Sequence, residues 1–132
     1  MKAIASKPVK SLSVGSYMVC ADNSGAKELQ IIAVKKFKGR RRTKPRAGIA
    51  DLVVCRVSKG NEKVRHELFK AVIIRARKEW SRASGVRISF EDNAAVIVDD
   101  KFVPKGTLIK GPVAKEAVDR FSTIGKVSNL VV

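Results

Sequence analysis

The sequence predicts an all-β fold, a small barrel, on three observations. Its apolar residues recur in short runs with a period of two. Those runs are rich in β-branched residues, and turn-forming residues separate them at close intervals. Short strands punctuated in this way favour a barrel, which also removes the open sheet edges that invite aggregation.

The strands follow in order. Glu28 to Val34 and Asp51 to Val57 are apolar runs on either side of a basic segment, and Val53, Cys55 and Val57 alternate with Val54 and Arg56. Leu68 to Lys78 reads as a longer β-branched strand. Val86, Ile88 and Phe90 alternate with Arg87 and Ser89, and Ala94 to Asp99 is apolar on both faces, as a central strand is. The turn signals between strands are Asp22-Asn23-Ser24-Gly25, Lys59-Gly60-Asn61, Ser84-Gly85, Glu91-Asp92-Asn93 and Asp99-Asp100. Near the end, Pro112 can open a helix whose face carries Val113, Ala117, Val118 and Phe121. A second short helical turn fits Ser122 to Val127. The expectation is one domain over residues 1–132, with a basic hairpin loop at about 35–48 and a short-helix segment at about 112–127. A chain of 132 residues can bury an adequate core without disulfide or metal staples.

Charge sets the function class. The chain holds 28 Lys and Arg against 12 Asp and Glu, a net +16. A compact body with this excess repels itself unless a polyanion neutralises it, and nucleic acid is the default polyanion. Residues 1–50 carry 12 basic and 2 acidic residues, residues 51–90 carry 10 and 4, and residues 91–132 carry 6 of each. The polyanion is therefore expected on the first two-thirds, leaving the last third free to meet protein. A membrane surface is the competing partner, but no basic amphipathic helix of the interfacial kind is visible. Met1 to Lys10 has no secretory h-region, and runs such as Ala71 to Ile74 are too short to span a bilayer. Cys20 and Cys55 lie on strand-like stretches and read as buried small hydrophobes in a reducing, cytoplasmic compartment, with a disulfide the alternative.

The sharpest feature is Lys35 to Arg46, in which eight of twelve residues are cationic and none is acidic. The eight are Lys35, Lys36, Lys38, Arg40, Arg41, Arg42, Lys44 and Arg46. Such a run is often a solvated face. Here it is internal and bracketed by strands, so it reads as the distal loop of a long hairpin. Two extended arms would carry it roughly 20 Å beyond the core. Its arginines present planar forks that match phosphate oxygens. A second cluster comprises Arg75, Arg77, Lys78, Arg82 and Arg87. Arg75 and Arg77 are expected on one face of a strand, turned to RNA or serving as an edge-blunting charge. Two of the seven aromatics, Phe37 and Trp80, lie in the basic clusters, too few for a stacking platform. Trp80 could stack on a base or pack over the barrel end. Recognition by phosphate geometry and shape is expected.

Catalytic constellations are not visible. His66 is the one histidine, two isolated cysteines make no zinc knuckle, and no nucleophile elbow or phosphate-binding glycine loop occurs. No cofactor and no metal is expected, and the reading is not an enzyme. Asp99-Asp100 with Asp22 or Asp51 could hold magnesium in a nuclease, but a turn is the simpler account. A free nucleic-acid regulator is the other alternative, without a recognition-helix pattern to support it.

The stretch Ala71 to Val98 resembles the universal ribosomal large-subunit protein fourteen family. Ala71-Val72-Ile73-Ile74, Ser84-Gly85, Phe90, Asn93 and Val96-Ile97 stand at matching spacing. Ala21-Asp22-Asn23-Ser24-Gly25-Ala26 and Gly111-Pro112-Val113-Ala114-Lys115-Glu116 match as well. Residues 1 to about 14 lie outside the clear match, and Ser84 stands where many members have Asp. The Phe90 to Asn93 and Val113 to Glu116 variants resemble the archaeal and eukaryotic branch. The resemblance implies a closed five-stranded barrel with a protruding basic β-hairpin and short C-terminal helices. It implies binding to large-subunit rRNA, bridges to small-subunit rRNA, contacts with neighbouring large-subunit proteins, and docking of the anti-association initiation factor six at the C-terminal region. Lys115, Glu116, Asp119 and Arg120 are the expected protein-docking residues. Asp22, Asn23, Ser24 and Gly25 form a turn with possible RNA contact.

Overall fold

The computed structural model describes residues 1–132. In chain order its elements are β1 (Leu12–Ser13), β2 (Tyr17–Cys20), β3 (Ala26–Val34), β4 (Arg46–Ala47), β5 (Leu52–Gly60) and β6 (Leu68–Arg75). There follow β7 (Trp80–Ser81), β8 (Arg87–Ile88), β9 (Ala94–Val98), β10 (Ile109–Val113), α1 (Lys115–Arg120), α2 (Ser122–Val127) and β11 (Ser128–Val131).

Five strands close a barrel in the order β2-β3-β5-β6-β9. Four of its seams are antiparallel, and the closing seam is parallel, with Val19 opposite Ala94 and Cys20 opposite Ala95. The alternation read from the sequence points Val53, Cys55 and Val57 of β5 inward; Leu29 and Ile31 of β3 lie opposite Val57 and Cys55, and all five are essentially inaccessible. Every residue of β9 is buried, as its two-faced apolar pattern requires. The last residues of β6 are buried on both faces too, because β10 and α1 pack outside that strand. The β3–β5 ladder shifts register between Ile31 and Ala33, a bulge that adds twist to a small barrel.

Both cysteines are buried and free. Burial pushes each thiol up to about 12, helped at Cys20 by the charge of Asp22.

Three elements depart from the sequence reading. The strand expected over Leu68 to Lys78 stops at Arg75, where Phe90 N–H takes the Ala76 carbonyl and the chain turns out of the barrel. The alternating Val86–Phe90 run is no barrel strand; its Arg87–Ile88 pairs only with Trp80–Ser81 in an outlying hairpin. Pro112 does not open the first helix but sits in β10, whose partner β11 runs parallel to it. The helix begins three residues later. The second helix lies where it was expected.

Candidate nucleic-acid interface

The basic segment is the connection between β3 and β5, which are antiparallel neighbours with Val34 opposite Val53. Its geometry differs from two extended arms. One further bond, from Lys35 N–H to the Leu52 carbonyl at 2.9 Å, prolongs the ladder, and then Lys36 adopts a left-handed φ of 58°. A second left-handed residue, Arg42 at φ 69°, lies within a tight turn in which Thr43 N–H reaches the Arg40 carbonyl. Arg46–Ala47 then pairs with Leu12–Ser13, and Ala47 to Ala50 are buried against the N-terminal segment. Gly48 lies so close that a Cβ there would stand 2.6 Å from the Val9 carbonyl oxygen. The straight paired arms behind the roughly 20 Å estimate are therefore replaced by an unpaired loop over residues 36–45. Buried Ala47 to Ala50 anchor its second half beside the N-terminal segment.

All eight loop cations are exposed, and none has a carboxylate within ion-pairing distance. Asp51 is the carboxylate at the loop's base. It is occupied by Lys10 at 2.7 Å, by Arg120 at 3.4 Å and by Gly48 N–H at 2.8 Å. The loop thus presents positive charge and hydrogen-bond donors with nothing internal to satisfy them.

The second cluster is divided by the fold. Arg75 is buried and corrects the expectation of an outward face. Its guanidinium pairs with Asp92 at 2.8 Å and donates to the carbonyls of Lys110 and Pro112. Arg82 is also committed inside the protein, to both oxygens of Glu116 and to the Val132 carbonyl. Arg77 is exposed, although its Nε donates to the Glu91 carbonyl, and Lys78 is exposed with no ion-pair partner. Arg87 pairs with Glu79. Trp80 packs as a core residue with its indole N–H on Glu116.

The Asp22–Gly25 turn is held by internal bonds, with Asp22 buried and Asn23 exposed. Buried Asp22 accepts from Cys20 Sγ, Ser24 N–H and Ile97 N–H. Asn23 clips the loop before β10 by accepting from Thr107 N–H and donating to its hydroxyl. Gly25 takes φ +99°. Of the four docking candidates, Lys115 and Asp119 are exposed, whereas Glu116 is buried and Arg120 is turned onto the Ala50 carbonyl and Asp51. Burial alone would raise the Glu116 carboxyl. The bonds from Arg82 and Trp80 outweigh it and hold the group below its ordinary range.

Sequence reasoning missed Lys2 and Lys10, which share surface clefts with the loop. More than twenty residues separate either from the loop, so no local pattern points to them. No group of three or more His, Cys, Asp or Glu side chains is placed to hold a metal ion. No helix is long and apolar enough to cross a membrane.

The fold defines a class of protein, a small closed β-barrel that carries one exposed loop of unneutralised cations. The family model for ribosomal protein L14p/L23e matches residues 11–132. The chain belongs to this family of large-subunit ribosomal proteins, a structural and non-enzymatic class. Relatives named large ribosomal subunit protein uL14 come from three archaea. That of Methanothrix thermoacetophila is 48% identical over 132 residues, covering all of both chains. That of Nanoarchaeum equitans is 49% identical over 133 residues with the same full coverage, and that of Methanococcus vannielii is 47% identical over 131 residues, covering 99% of each.

Proposed function

We propose that this chain binds large-subunit rRNA through the loop from Lys35 to Arg46, with Arg77 and Lys78 as a second contact. The observation that carries the reading is the loop itself: eight exposed cations, no internal carboxylate and a backbone anchored at both ends. Neutralising phosphates releases condensed counterions, which is the one large energetic gain open to such a surface. Arg75 and Arg82 are left out of the contact set because their donors are already used.

The finer reading follows the family resemblance. The exposed barrel face contributes to bridges with small-subunit rRNA, and neighbouring large-subunit proteins cover part of the remainder. The C-terminal surface bearing Lys115 and Asp119 docks initiation factor six. Near-neutral charge over residues 91–132 supports a protein partner there. The working location is the ribosome in the cytoplasm.

The test is a salt titration of the isolated protein on a large-subunit rRNA fragment. Contact with six to ten phosphates would weaken binding about 10³- to 10⁵-fold between 50 and 200 mM salt. Joint replacement of Arg40, Arg41 and Arg42 by Ala should weaken all RNA sequences alike and flatten the slope. A flat salt response in the wild type sinks the reading. For the docking surface, Lys115→Ala with Asp119→Ala should reduce capture of purified initiation factor six; unchanged capture rejects that part.

A further inference from the structure

The family model begins at residue 11, and the ten residues before it contain Lys2, Lys7 and Lys10. The structure lays this segment along the basic loop. Lys2 N–H bonds the Arg120 carbonyl, Val9 abuts Gly48, and β1 just beyond pairs with β4. Two clefts open along the seam. One is lined by Lys10, Phe37, Arg42, Thr43, Lys44 and Arg46. The other includes Lys2, Lys10, Lys35, Lys36, Asp51 and Arg120. Lys10 belongs to both and joins them.

The chemistry of the joined clefts is one-sided. Their only carboxylate is Asp51, and it does not depend on Lys10. When the Lys10 ammonium swings to an outside anion, Asp51 keeps Arg120 and the Gly48 N–H. The Lys10 side chain is already 58% exposed, so the swing costs little desolvation. Phe37 adds an aromatic surface. Gly39 permits its position, since a Cβ there would stand 2.8 Å from Phe37 Cε1. A half-buried ring among four cations suits a base whose phosphates the cations hold, because every base has a π face. An acidic peptide could satisfy the cations but would make no use of the ring.

We infer that the N-terminal segment and the basic loop together form a channel for one unpaired RNA strand. Its phosphates lie along Lys2, Lys10, Lys35 and Lys36, and one base rests on Phe37. This rests on the reading of the loop as an RNA-binding surface and extends it to the N-terminal residues that precede the span of the family model.

The test uses the full chain, fluorescence anisotropy, a short labelled oligouridylate and a labelled RNA duplex of equal length. Lys63→Gln is the charge control. Lys63 lies in the turn after β5, at the opposite end of that strand from the basic loop. Joint Lys2→Gln and Lys10→Gln replacement should weaken oligouridylate binding about tenfold more than the control and lower the log–log salt slope by about 1.4. Phe37→Leu should weaken the single strand at least about fivefold and leave the duplex nearly unchanged. Trp80 fluorescence confirms that each variant is folded. The channel is rejected if the Lys2/Lys10 variant tracks Lys63→Gln, if Phe37→Leu spares the single strand or affects both RNAs equally, or if polyglutamate displaces oligouridylate as well as unlabelled RNA does. If the Arg40, Arg41 and Arg42 triple replacement still weakens RNA in that case, the loop reading survives and only the channel falls. If the triple replacement is silent too, both fall.

Discussion

Arg82 and Glu116 lie 34 residues apart in sequence and meet side by side, with Arg82 Nε 2.8 Å from Glu116 Oε1. The carboxylate is 5% exposed and also receives Trp80 Nε1 and the Ser6 hydroxyl. One buried group therefore ties the N-terminal segment, the β7–β8 hairpin and α1 together.

Removing that charge leaves Arg82 without its carboxylate in a largely dry site. Glu116→Gln should lower stability by about 3 kcal/mol, the scale for breaking a buried pair from one side. Urea denaturation followed by Trp80 fluorescence measures this. The pH dependence follows in sign. The folded Glu116 carboxyl titrates below its ordinary value of 4.5, so its contribution is present above that value and disappears as pH falls through the folded one. Wild type should therefore lose more stability on acidification than Glu116→Gln; parallel acid profiles would contradict the assignment.

Arg75 makes a similar tie between the barrel and β10. Arg75→Met should cost about 2–4 kcal/mol, because the Lys110 and Pro112 carbonyls lose their donor and Asp92 its cation. Gly111 sits at φ +78°, and a Cβ there would stand 2.8 Å from Arg75 Nη1. Gly111→Ala should cost about 1–3 kcal/mol through backbone strain, before any displacement of the guanidinium. Native-state hydrogen exchange should show Lys110 and Val132 amides opening sooner in both variants. Unaltered protection there would rule out the tie.

The basic loop should behave oppositely in a stability assay. Its cations touch no carboxylate, so replacing Arg40, Arg41 and Arg42 by Ala should change unfolding free energy by no more than about 0.5 kcal/mol. Mutual repulsion is also relieved, and added salt should raise the Tm of wild type more than that of the variant. A clear loss of stability in low salt would mean that the loop's charges are structural.

The cysteines offer a probe of barrel integrity. Burial keeps both thiols protonated at neutral pH, with values pushed to about 12, and thiolate is the reactive form. Neither should react with a thiol reagent until the barrel unfolds, and the rate should then follow the global opening equilibrium. Fast labelling of native protein would mean that β2 or β5 opens locally.

The buried face of β5 was legible in advance because a half-buried barrel strand has a two-residue period, and Val53, Cys55 and Val57 follow it. β9 was legible differently, as a run apolar on both faces. The second helix was legible as well. The β7–β8 hairpin and the parallel β10–β11 pair were not: the Val86–Phe90 alternation signals a strand but not that it pairs outside the barrel, and Pro112 in β10 reads as a helix start. Among the site residues, the loop stood out because its charges are contiguous. Arg75 and Arg82 were misjudged because a charged side chain at an exposed-looking strand end reads the same whether its partner is solvent or a distant carboxylate.

Sequence by itself determined that a β-rich core would carry a large positive excess, and that one internal segment would concentrate it. Both are properties of composition and local spacing, which need no knowledge of the fold. Tertiary structure alone decided which cations remain available. Asp92 and Glu116 come to Arg75 and Arg82 only in the folded chain, and Lys10 lies beside the loop because β1 pairs with β4. Charge is written residue by residue, but its neutralisation depends on separations in space, which chain closure sets.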